Sequence, residues 1–110
     1  MRIIPDNPLE FIRRCIRDRK VFWTYHVNMR MEERPVTREM ILSSVDEMEI
    51  IEAYPDDKYF PSYLLLSRYG KMWYHVQIGV DVAGDNVRIV TAYWPNPNKW
   101  EPDFKVRRGK

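Results

Sequence analysis

The chain lacks the residues that build several familiar kinds of site. It has one cysteine, Cys15, among 110 residues. A lone cysteine closes no internal disulfide and supports no cysteine-based metal site, which points to a reducing compartment. Its four glycines are isolated, so no glycine-rich phosphate loop is present. The two histidines, His26 and His75, lack the H-E-x-x-H spacing of a zinc protease. No apolar run approaches the ~20 residues that a membrane span needs. The opening Met1-Arg2-Ile3-Ile4-Pro5-Asp6 lacks the apolar stretch of a signal peptide. These absences set the expectation of a cytoplasmic chain with no membrane contact, no metal and no cofactor. The net charge of +2 is too small to imply nucleic-acid binding by itself.

What is present suits one domain over residues 1–110. Hydrophobic residues make up 45% of the chain and aromatic residues 14%. A chain of this size buries roughly 65% of its unfolded surface, enough for a core without staples. Aromatics can serve as core, as interface anchors or as platforms for bases. Cys15 reads as a small buried hydrophobe. Charge is unevenly placed: Arg13, Arg14, Arg17, Arg19 and Lys20 lie near the start, and Lys105, Arg107, Arg108 and Lys110 at the end. The acidic residues concentrate between Glu32 and Asp57. If the two ends meet, they form a basic surface; the alternative is a solvated basic tail.

Asn7-Pro8 is a cap and first-turn pair, and Leu9, Ile12 and Ile16 follow at helical spacing, so a helix is expected over about 8–19. Val21–Tyr25 reads as a short extended segment leading into a helix that carries His26 and stops by Arg34, before Pro35. Thr37 caps a second helix through about Val45. Extended segments then follow at 48–54, 63–69, 72–82 and 87–94, with turns at Gly70-Lys71 and Gly84-Asp85. The last is apolar on both faces apart from Arg88 and Thr91, which places it inside the sheet. The expected fold is α+β, with N-terminal helices on one face of a mostly antiparallel sheet of about four strands.

His26, Arg30 and Arg34 are spaced four apart, so in a helix they form one stripe. An imidazole beside planar cations is the group that proton transfer next to a phosphate requires. Strand alternation puts His75 on the less apolar face, where it can look into a groove. Metal-independent phosphodiester cleavage needs a base, an acid and cations for the phosphoryl oxygens. His26 and His75, with Arg30, Arg34, Lys105, Arg107 and Arg108, contain those groups. Tyr93 and Trp100 are candidates for base stacking. The plainer alternatives are a sheet histidine satisfied by its neighbours and arginines ion-paired with Glu32 or Glu33.

A resemblance covers residues 24–108. Tyr25-His26, Arg30-Met31, Glu33-Arg34, Val36-Thr37, Glu39 and Ile41 resemble the opening of a small bacterial domain family of unknown function. Tyr63–Leu66, the strand with His75, Ile89–Tyr93, Pro97–Trp100, Phe104 and Arg107-Arg108 match its later parts. That family is similar to the BrnT and RelE-type toxins of toxin–antitoxin pairs. The resemblance implies a compact α+β fold of that type and a metal-independent endoribonuclease acting on messenger RNA. It also implies neutralisation by a cognate antitoxin with zinc-finger and helix-turn-helix regions. Cleavage would proceed by attack of the RNA 2′-hydroxyl. A non-enzymatic module that binds protein or nucleic acid accounts equally for the aromatics and the charged ends.

Overall fold

The computed structural model describes residues 3–23 and 36–109. Helix α1 spans Pro8–Arg17, and the Asn7 side chain accepts the Glu10 amide at 3.2 Å, the N-cap expected from sequence. Ile12, Cys15 and Ile16 form its buried stripe. Strand β1 (Val21–Trp23) follows, then α2 (Arg38–Ser43), whose cap is Thr37, accepting from the Met40 amide. The second helix stops earlier than expected. The Ser43 and Ser44 hydroxyls bond back to carbonyls of the preceding turn, and residues Val45–Glu47 tighten into a 3₁₀ turn.

Strands β2 (Glu49–Tyr54), β3 (Ser62–Tyr69), β4 (Met72–Asp81) and β5 (Asn86–Tyr93) complete one sheet in the order β1-β5-β4-β3-β2. The fold is therefore α+β, with a five-stranded mixed sheet where about four strands were expected. The fifth strand is β1, which pairs in parallel with β5 through Val21↔Val87 and Trp23↔Ile89. A three-residue run whose partner lies so far along the chain carries no local sign of its pairing. The β2–β3, β3–β4 and β4–β5 pairs are antiparallel.

The sheet has two unlike faces. Tyr63, Leu65, Tyr74, Val76, Ile78, Val80, Val87 and Ile89 join Ile12, Cys15, Ile16, Ile41 and Val45 in one buried cluster. Burying each Ile or Leu side chain there contributes about 1.5–3 kcal/mol. A polar seam runs through this layer: the Tyr74 hydroxyl meets Ser44, and Ser67 donates to the Ser44 carbonyl at 3.1 Å. These bonds satisfy the polar groups that enter the core.

The opposite face carries Glu49, Glu52, Leu64, Leu66, Arg68, Trp73, His75, Gln77, Gly79, Arg88, Thr91 and Tyr93, as the strand register dictates. Two bulges modify it. Between Gln77↔Thr91 and Ile78↔Ile89 one extra residue, Val90, enters β5 and stands 46% exposed. The other falls between Ile50 and Glu52 on the edge strand β2.

Asp85, in the turn before β5, ties the first helix to the far end of the sheet. It accepts from Arg14 at 2.5 Å and from Lys20 at 2.7 Å, and these two cations hold its carboxyl down at about 2. A carboxylate whose folded pKa lies below its unfolded value stabilises the fold above the unfolded pKa and loses that effect as pH falls through the folded one. Asp85 also has φ 56°, a backbone state that asparagine tolerates. We predict that Asp85→Asn lowers Tm by the same small amount at pH 7 and pH 5. The difference from wild type should shrink between about pH 4 and pH 2. A difference unchanged at pH 2, measured by circular dichroism melts, contradicts this assignment.

Candidate functional site

The sheet face away from the helices is crossed by residues 95–109, which fold back as an irregular strap. Trp100 and Arg107 form an antiparallel bridge, Glu101 donates to the Val106 carbonyl at 2.8 Å, and Arg108 to the Lys99 carbonyl at 2.9 Å. The strap covers His75. Trp100 stands edge-on to the imidazole with centroids 4.4 Å apart, and Tyr93 meets it similarly at 5.3 Å. His75 is 0% exposed and Trp100 3%.

Both ring nitrogens of His75 are engaged. Nε2 lies 2.8 Å from the Phe104 carbonyl and Nδ1 lies 3.2 Å from the Tyr93 hydroxyl. A carbonyl only accepts, so Nε2 carries the proton, and Nδ1 accepts from Tyr93. The neutral ring meets both requirements. Burial pushes the His75 pKa below its ordinary value, against the opposing pulls of the Phe104 carbonyl and Glu52. The groove that strand alternation suggested for His75 is thus filled by the strap. The alternation correctly places His75 off the helix face, but it contains no information about what folds over it.

The tail cations are drawn into the same closure. Arg107 grips Glu52 with two bonds, Nε to Oε2 at 2.9 Å and a terminal nitrogen to Oε1 at 3.1 Å. Its guanidinium lies over the Trp100 ring at 4.6 Å. The pair lowers the Glu52 pKa and raises that of Arg107. Lys105 meets Glu49 at 3.2 Å. Arg108 donates to the Pro97 and Trp100 carbonyls at 2.9 and 2.6 Å. Of the residues singled out from sequence, His75, Tyr93, Trp100 and Arg107 are therefore brought together, with Lys105 and Arg108 on the strap beside them. His26, Arg30 and Arg34 lie outside the described residues. Cys15 is buried in the core. Among the described residues no three His, Cys, Asp or Glu side chains cluster as metal ligands would, and no helix is long and apolar enough to cross a membrane.

Sequence reasoning missed what the strap leaves open. At the β1–β5 end, Arg88 lies over Phe22 at 5.3 Å and over Phe60 at 4.5 Å, with Phe22 54% exposed. At the other end, Arg68 donates to Glu47 at 2.6 Å and lies over the ring of Trp73, a residue 41% exposed, at 5.4 Å. The cross-strand register Arg68↔Trp73 makes the second pair. A readable sign did exist, since Arg88 interrupts an apolar strand and Trp73 alternates with buried residues. The bulge that turns Val90 to the same face left no sign.

The neutral, buried state of His75 has a consequence in solution. Its folded pKa is depressed below the unfolded value of 6.5, so the unfolded chain takes up a proton first as pH falls. Stability is fully present above that value and declines beneath it, by at most about 1.4 kcal/mol per pH unit. We predict a fall in wild-type Tm from pH 7.5 to 5.5. His75→Gln, which keeps a donor for the Phe104 carbonyl, should flatten that slope. Equal slopes for the two proteins would show that His75 is not held neutral.

No curated protein and no solved structure matches the chain. Residues 23–94, more than half of its length, match the model of a domain of unknown function (DUF4258). The strap lies beyond the matched stretch, whereas the strands bearing His75, Arg68, Trp73 and Arg88 lie within it. The chain belongs to the DUF4258 family.

Proposed function

We propose that the chain is a binding module for single-stranded RNA that uses the strapped face of its sheet. The observation that carries this reading is the pairing of arginines with partly exposed aromatic rings at both open ends of that face, Arg88 with Phe22 and Phe60, and Arg68 with Trp73. Unpaired bases stack on aromatic rings and on guanidinium planes, and arginine also meets the phosphates between them. A sheet face carrying aromatics is a recurrent platform for this recognition. The strap holds the middle of the face closed, so bases would be held at two stations flanking it.

A second reading draws on the sequence alone. His26, Arg30 and Arg34 fall inside the matched stretch at helical spacing. This reading makes the chain a RelE- or BrnT-like toxin, a metal-independent endoribonuclease paired with an antitoxin of zinc-finger and helix-turn-helix type. Proton transfer would then fall to His26, because both nitrogens of His75 have partners within the fold. His26 as base removes the proton of the 2′-hydroxyl, the oxygen attacks the adjacent phosphorus, the bond from phosphorus to the 5′-oxygen breaks, and that oxygen takes a proton from water. A cyclic phosphate end remains.

One experiment separates the two. A fluorophore-labelled single-stranded RNA is titrated with the protein in chelator, and anisotropy and gel integrity are followed together. Saturable binding with intact RNA supports the binding module. Trp73→Ala should then weaken it about tenfold, within the range of a lost stacking partner. Cleavage that His26→Ala abolishes supports the toxin reading instead. RNA that is neither bound nor cut overturns both.

A further inference from the structure

Beside Arg88 the face opens into a pocket of about 530 Å³. Gly79 forms its floor. A side chain is missing there at the place where β4 would otherwise project one, and an added Cβ would meet Phe60 at 3.8 Å and the Arg88 carbonyl at 3.9 Å. Phe60, Val90 and the 79% exposed Tyr59 line its sides. Lys58 and Arg88 are the cations among its lining residues, and Asp57 is the carboxylate among them. The volume lies within the range of small-molecule sites.

The electrostatics favour an anion at the rim. Arg88 is held between two rings, and its nearest carboxylate, Asp81, stands at 3.9 Å. Its Nε has no hydrogen-bond partner among the described residues. Among the described residues this guanidinium, with five donors, makes one long ion pair. The nearby carboxylates are turned to other tasks. Asp57 accepts from the Ser62 hydroxyl at 2.6 Å and the Lys58 amide at 2.8 Å. Asp81 accepts from the Gly84 amide at 2.9 Å and from Asn86 at 3.3 Å, bracing the turn.

An apolar, aromatic-sided pocket with a cation fixed at its rim suits a flat ring that carries an anionic group. From this geometry we infer that the pocket takes one unpaired nucleotide of a single-stranded RNA. The base packs over Gly79 against Phe60 and Val90, and its phosphate meets Arg88. The inference rests on the RNA-binding reading above and names the subsite that anchors the strand.

Two variants and two probes test it. Gly79→Val fills the floor with a residue that strands accept, and Arg88→Gln removes the rim cation. Both are read for RNA affinity by anisotropy and for folding by circular dichroism, with Trp73→Ala as the variant at the other station. Adenosine 5′-monophosphate is titrated separately and followed by amide shifts in the NMR spectrum. The expected result is a tenfold or greater loss of RNA affinity in each pocket variant with folding retained, and mononucleotide-induced shifts around Gly79 and Arg88. RNA binding that is unchanged in both folded variants overturns the pocket and leaves the RNA-binding reading standing. No RNA binding by wild type defeats that reading; the pocket then falls too if the mononucleotide moves no resonance near Gly79. Should either variant unfold, the mononucleotide shifts in wild type decide: shifts elsewhere, or none, overturn the assignment.

Discussion

The hydrogen bond from the His75 ring to the Phe104 carbonyl fastens the C-terminal strap to the sheet, and the character of the whole outer face depends on it. A buried imidazole without partners is costly, since each unpaired polar group loses its water for nothing. Phe104 supplies the acceptor and Tyr93 the donor, with Trp100 closing the ring off from solvent. Phe104 itself adopts φ 60°, an uncommon state for an aromatic residue, which the surrounding bonds must hold in place. Arg107 reinforces the closure from outside through Glu52 and the Trp100 face. This ion pair is partly solvated and contributes modestly; the packed aromatic cluster is the stronger fastening.

Much of the fold was legible because its signals are local. Asn7-Pro8 and Thr37 mark helix starts, and Gly70 takes φ 64° in the two-residue turn between β3 and β4. Alternation in β4 separates Tyr74, Val76, Ile78 and Val80 from the outer residues, as the core cluster shows. The parallel β1–β5 pairing and the bulge at Val90 depend on partners distant in sequence, and no periodicity reports them.

The site was harder to read for the same reason. His75 invites a catalytic interpretation because histidine titrates near neutral pH. Its environment is set by Trp100 and Phe104, which lie on the strap rather than on the neighbouring strands. Lys105, Arg107 and Arg108 looked like a basic tail, yet Glu49, Glu52 and three tail carbonyl and carboxylate partners receive them. Arg88 stood out in the sequence only as a break in an apolar strand and Arg68 not at all, although each ends on an exposed ring. Arg68 also pairs with Glu47 at 2.6 Å and Arg88 with Asp81 at 3.9 Å, so what sets these two arginines apart from the tail cations is the exposed ring each one covers.

In the proposed RNA-binding reading, a strap that closes the middle of the sheet leaves recognition to its two ends. That division is the central claim, and mapping amide shifts of the labelled protein during titration with a short single-stranded RNA tests it most directly. The account predicts shifts grouped at Phe22, Phe60, Gly79, Arg88 and Val90 and at Arg68 and Trp73, with His75 and Phe104 little changed. Shifts confined to α1 and α2, or centred on His75, would contradict it.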